Sequence, residues 1–142
     1  MHDRYHRLLD WYIRLSPHNL HEITQFYAED ARFKDPFNDV QGLGSIRRVF
    51  EHMFVHTDEP RFEILQQLAD PTQAFVTWVF HFGLRGQRFS VSGATHFSFA
   101  ADGRVLGHRD YWDSAEELIQ KLPVIGAPAR WLRRRLSASS SA

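Results

Sequence analysis

A chain of 142 residues has room for one hydrophobic core, and its 43% hydrophobic and 24% charged residues are those of a globular domain, not a disordered chain. Its 17 basic and 17 acidic residues cancel, which removes whole-chain charge as an argument for nucleic-acid binding; the absence of cysteine excludes disulfides, thiolate metal sites and a cysteine nucleophile. The unusual figure is aromatic content: 12 Phe, 4 Trp and 4 Tyr make up 14% of the chain, enough for a deep ring-filled core or a ring-lined pocket.

Residues 4–15 carry Tyr5, Leu8, Leu9, Tyr12 and Leu15 at helical spacing, which predicts an amphipathic helix stopped by Ser16-Pro17. A second helix is predicted over about 19–28, with Leu20, Ile23, Phe26 and Tyr27 on one face, Asn19 as N-cap and Glu22 completing a capping box. The period then drops to two. Ala31, Phe33 and Asp35 alternate with Arg32 and Lys34, a short strand ending at Pro36. Gly42 and Gly44 interrupt the chain, and Ser45 is placed to cap a third helix with the stripe Ile46, Val49, Phe50, Met53 and Phe54, closed before Pro60.

Four strands follow. Residues 61–69 set Phe62, Ile64, Gln66 and Leu68 on one face; residues 74–82 set Val76, Trp78, Phe80 and Phe82 opposite Thr77 and His81. Residues 83–87 form a hairpin connection to a strand over 88–100, which groups Phe89, Val91, Gly93, Thr95, Phe97 and Phe99. Asp102-Gly103 is a strong turn signal, and the last strand, 104–112, sets Leu106, His108, Asp110 and Trp112 against Val105, Gly107, Arg109 and Tyr111. A short helix is predicted over about 115–121. Beyond Pro123 four arginines stand beside Trp131, Leu132 and Leu136, read as a solvated helix docking through its apolar residues, before a frayed Ser/Ala tail over 137–142. The division is thus a domain over 5–122 and a basic helix with a disordered tail over 123–142. The element order argues for an α+β fold with helices on one face of a curved antiparallel sheet. No apolar run approaches the roughly 18 residues of a membrane span, and charged residues follow Met1, so a cytoplasmic protein with no membrane or nucleic-acid partner is expected.

Tyr12, the run YAEDARFKDPF (27–37), G-x-G-S-I (42–46), Trp78, Gly93, F-x-x-D-G-R-V (99–105) and YWD (111–113) together resemble the NTF2-like superfamily, and within it the ketosteroid isomerases and SnoaL-like polyketide cyclases. The resemblance spans about 5–122. It implies a cone, a strongly curved antiparallel sheet wrapped around three helices and enclosing an apolar pocket. Asp35, on the inward face of its strand with Phe33, would match the isomerase general base; the alternative is an Asp-Pro that only caps a strand. Tyr12 would match the phenol that hydrogen-bonds the developing oxyanion, or is an ordinary core tyrosine. Thr95 stands where those isomerases place a protonated aspartate, a departure that points away from steroid isomerisation.

His108, Asp110 and Trp112 share a strand face. SnoaL-like cyclases pair a late-strand Asp base with a His, which implies that role for Asp110 and His108; the alternative is an outward, solvated pair. Phe33, Trp78, Phe80, Thr95, Phe97 and Trp112 would line the substrate cavity. His81 and His96 fall on the outer face, where a homodimer is expected. No metal-ligand spacing is found among the 9 His, so neither metal nor cofactor is expected, and Arg109 faces away from Asp110, a poor fit to epoxide hydrolases with an Asp–Arg–Asp set. Two functions follow. One is cofactor-independent proton transfer on an apolar carbonyl compound; the other is a non-catalytic ligand-binding or dimerisation module.

Overall fold

The computed structural model describes residues 2–112. In chain order they form α1 (His2–Ile13), a 3-10 turn (Leu20–Glu22), α2 (Ile23–Phe26), β1 (Tyr27–Lys34), β2 (Asp39–Gln41), α3 (Leu43–His56), β3 (Asp58–Ala69), β4 (Gln73–Leu84), β5 (Gln87–Phe99) and β6 (Val105–Tyr111). The predicted helix over 115–121, the basic segment, the Ser/Ala tail and the boundary at 122 lie outside the described residues.

The six strands form one sheet in the order β2-β1-β6-β5-β4-β3. The α+β class holds, but the sheet is mixed where an antiparallel one was expected: β1 runs parallel to β6, with Phe33 opposite His108. Alternation along a strand reveals its two faces and carries no information on the direction of a distant partner, so this pairing was not readable locally. One face of the curved sheet packs on the helices through Leu8, Leu9, Trp11, Ile46, Phe50, Val76 and Phe97, all buried.

The second helix is much shorter than its periodicity predicted. Asn19 does not cap it. Its side chain turns back to close α1, accepting from the Ser16 amide at 2.8 Å and donating to the Arg14 carbonyl at 2.9 Å. After one turn the backbone goes extended at Tyr27 (φ −112°, ψ 139°), so Tyr27 and Ala28 belong to β1. Gly42, at φ +97°, occupies the N-cap of α3, and Ser45 lies inside that helix, its hydroxyl accepting from Arg48. The three-residue β2 is too short to show alternation and was not predicted.

Two single-residue bulges correct the predicted strand faces. In β3 the register slips between Ile64 and Gln66, so Leu65 is extra; Phe62 and Ile64 face inward, whereas Leu68 lies opposite Phe75 on the outside and is 78% exposed. In β6 the slip at Leu106 turns that side chain out and Val105 in, while His108 keeps its inward place opposite Phe97. The β4–β5 hairpin turns on Arg85 and Gly86, both at positive φ as a type I′ turn requires. Gly93 is needed for a different reason. A Cβ there would lie 2.4 Å from the Trp78 ring, which rests on the bare backbone.

Candidate active site

A cleft of about 750 Å³, its open mouth included, lies between α3 and the inner sheet face. Its walls are mainly rings and apolar side chains, among them Phe33, Phe50, Phe62, Trp78, Phe80 and Trp112, and α3 adds His52 and His56. The rings pack on one another, Phe62 stacking on Phe80 at 4.6 Å and meeting Trp78 edge-on at 5.7 Å. Two carboxylates, Asp35 and Asp110, are set into this apolar lining. A narrower recess shares Phe50, Phe62, Trp78 and Asp110 with the cleft and is closed by Leu9, Tyr12, Thr95, Phe97 and His108.

Asp35 follows directly on β1, where Pro36 prevents the strand from continuing. The chain folds over its carboxylate. Oδ1 accepts from the amides of Phe37 at 2.8 Å and Asn38 at 2.6 Å, and the buried Asn38 side chain donates to both oxygens at 3.2 and 3.3 Å. Burial pushes the carboxyl up to about 6, the Asp110 charge adds to this, and the Phe37 and Asn38 donors hold it back.

Asp110 is held differently, by side chains from β5 and β6. Its Oδ1 accepts from the Thr95 hydroxyl at 2.5 Å and lies 2.7 Å from His108 Nε2, while Trp78 Nε1–H donates to Thr95 at 2.8 Å. No hydrogen bond among the described residues occupies the other carboxylate oxygen. His108 is 4% exposed; its Nδ1 lies 2.6 Å from the Tyr27 hydroxyl and 3.0 Å from that of Tyr12, and the two phenols are hydrogen-bonded to each other. Burial pushes both phenols well above their ordinary range, and Asp110 raises each further. Both hydroxyls therefore keep their protons.

Every candidate catalytic or substrate-lining residue named from the sequence lines one of these two spaces. Phe33, Asp35, Trp78, Phe80, Asp110 and Trp112 line the cleft, and Tyr12, Thr95, Phe97 and His108 the recess. Tyr12, His108, Asp110 and Thr95 come together in one hydrogen-bonded chain; Asp35 stays outside it, linked to it only through the field of Asp110. The outward register for His108 and Asp110 does not occur, since their side chains are 3% and 14% exposed. Two polar partners were missed. Asn38 was findable from D-P-F-N, an Asp followed by a turn. Tyr27 was hidden by helical spacing that continues into a strand.

His81 and His96 lie on the outer face. His81 bonds Ser90 and Glu63, and His96 bonds Gln73 and stacks on Phe75 at 4.3 Å. Arg109 also points outward, its guanidinium 4.8 Å over the Tyr111 ring. Among the described residues no three His, Asp or Glu cluster as metal ligands, and no helix is long and apolar enough to cross a membrane.

Comparison with known proteins adds a family. The profile of the SnoaL-like domain matches residues 8–108. No curated protein matches the sequence significantly. Among solved structures, an NTF2-like protein of unknown function from Burkholderia pseudomallei K96243 superposes with a TM-score of 0.74 at 16% identity, covering 87% of this chain and 100% of its own. A putative SnoaL-like polyketide cyclase from Jannaschia sp. CCS1 gives 0.70 at 16% identity, covering 85% and 92%. A protein of ketosteroid isomerase-like fold from Catenulispora acidiphila DSM 44928, in complex with trimethylamine, gives 0.69 at 15% identity, covering 80% and 89%. At these identities the structural likeness establishes the NTF2-like fold.

Proposed function

The chain belongs to the SnoaL-like domain family, and from that premise we propose that it catalyses cofactor-independent proton transfer on a small apolar carbonyl compound bound in the cleft, as an isomerisation or an aldol cyclisation. The observation that carries this reading is the pair of carboxylates in unlike settings: Asp110 presents an oxygen that takes no hydrogen bond among the described residues, and Asp35 is pushed up to about 6.

In this reading the free oxygen of Asp110 takes the proton α to the carbonyl. The carboxylic acid form of Asp35 hydrogen-bonds the carbonyl oxygen as negative charge develops there. The enolate then either regains the proton from Asp110 at a conjugated carbon, or its carbon attacks a second carbonyl and the resulting alkoxide takes up the proton. Tyr12, expected from the resemblance as a donor to the oxyanion, is assigned with Thr95 to supporting Asp110, because both hydroxyls are engaged within the chain that holds it. The ring walls exclude water from the enolate.

The test is loss of α-protons in D2O, followed by NMR over a panel of apolar ketones and enones. Exchange by the wild type that falls about 10³-fold in Asp110→Asn supports the reading. Silence of the wild type across the panel sinks it and leaves the ligand-binding module in its place.

A cytoplasmic homodimer is the proposed form. Leu68, Phe75, Leu106 and Tyr111 leave 42–78% of their surface exposed, and Leu68 is paired with Phe75 on the outer sheet face. Light scattering that returns the 16.7 kDa of one chain would exclude the dimer.

A further inference from the structure

We infer that the Tyr12–Tyr27 pair holds His108 as the neutral imidazole with its proton on Nε2, which makes Tyr27 a positioning residue for Asp110. The inference rests on the proposed acid–base reading only for its functional meaning; the protonation state itself follows from hydrogen-bond accounting.

Three polar atoms meet in the recess: the Tyr12 hydroxyl, the Tyr27 hydroxyl and His108 Nδ1. Among the described residues the two hydroxyls have no other partner. With Nδ1 unprotonated, two hydroxyl protons meet enough acceptors. Tyr27 donates to Nδ1 at 2.6 Å and Tyr12 donates to Tyr27, so nothing is orphaned. With Nδ1 protonated, three protons compete for two oxygens. Nδ1–H then donates to Tyr27 and Tyr27 to Tyr12, which leaves the Tyr12 hydroxyl proton facing a ring nitrogen with no lone pair. A buried donor without an acceptor is costly, and the same penalty applies whether the Nδ1–H ring is neutral or cationic. Both phenols are held protonated by burial, so neither relieves the conflict by ionising.

Among the described residues, the polar groups that bond the ring are Tyr12 from α1, Tyr27 from β1 and Asp110 from β6, and the rings of Phe33 at 4.5 Å and Phe97 at 5.0 Å pack against it. With its proton on Nε2, His108 donates to Asp110 Oδ1, the oxygen that Thr95 also occupies. Both donors therefore converge on one oxygen and leave the other to the substrate. His108 consequently works as a fixed donor. It does not relay a proton, because a second proton would have to enter at Nδ1.

Long-range ¹H–¹⁵N correlation spectra of the His108 ring decide the matter without any substrate. The expected wild-type spectrum at neutral pH has Nδ1 in the unprotonated range and Nε2 in the protonated range; a protonated Nδ1 overturns the inference. In Tyr27→Phe the ring loses its 2.6 Å donor and keeps only the longer contact to Tyr12, so the Nδ1 resonance should move toward that of an imidazole nitrogen accepting no hydrogen bond while Nε2 stays in the protonated range. An unchanged Nδ1 resonance in that folded variant also overturns the inference. The two readings fail separately: a protonated Nδ1 with exchange intact removes this inference alone, and lost exchange with the expected spectrum removes only the enzymatic function.

Discussion

Asp35 and Asp110 face the same cleft, yet they are held by opposite means. Asp35 is gripped by its own neighbours, the amides of Phe37 and Asn38 and the Asn38 side chain, all within three positions. Asp110 is gripped across strands, by Thr95 fifteen positions away and by His108, which is itself anchored to α1 and β1. A local clasp survives small shifts in packing, because backbone amides carry it. A tertiary one transmits every change in the wall behind it. The same chemical group is thus robust at one end of the site and dependent on the whole fold at the other.

The largest expected effect separates the two groups outright. Asp110→Asn should reduce α-proton exchange about 10³-fold and Asp35→Asn about 10²-fold, within the range general acid–base catalysis supplies. Equal losses would mean that the carboxylates do not divide the work as proposed. In the wild type, exchange should also fall as pH rises through about 6, where Asp35 loses its proton, and this limb should vanish in Asp35→Asn.

Stability sharpens the contrast in the reverse direction. Asp35 binds its proton more tightly folded than unfolded, so its contribution is present below pH ~4 and is lost as pH climbs through about 6. Asp35→Asn keeps an oxygen for the two amides and should therefore unfold ~1–3 kcal/mol less readily than wild type at pH 8, as read by urea titration. Substitutions behind Asp110 should only destabilise. Gly93→Ala drives a methyl into the Trp78 ring and is expected to cost ~1–3 kcal/mol, and Thr95→Val should cost a similar amount by orphaning Trp78 Nε1–H. The smallest effect is Asn38→Ala. It removes one of the donors that hold Asp35 down, so the pH limb of exchange should move upward with the maximal rate little changed.

What could be read from the sequence follows the same line. The position of Asp35 was visible because D-P-F ends a strand by local rules, and the inward faces of β4 and β5 were visible because alternation runs unbroken along them. Asp110, His108 and Thr95 were picked out as residues, but their joining into one chain depends on the register that sets Thr95 opposite Asp110. Tyr27 stayed hidden because Phe26 and Tyr27 extend a helical spacing that the backbone abandons at that point. Leu68 and Leu106 were assigned to the wrong faces because a bulge adds one residue and reverses every side chain beyond it.

The parallel seam between β1 and β6 also sets the order of assembly. Tyr27 and His108, which meet across it, lie 81 positions apart, whereas β3, β4 and β5 meet through adjacent hairpins. Closing so long a loop gains contacts only after its entropy has been lost, so the meander should form before the seam. A refolding chain would then possess its apolar walls before it possesses its acid–base pair. Pulsed hydrogen exchange during refolding should protect β4 and β5 amides ahead of those in β1, and simultaneous protection would refute this order. The hydrogen-bonded chain behind Asp110 would arrive last, as the signature of a completed fold.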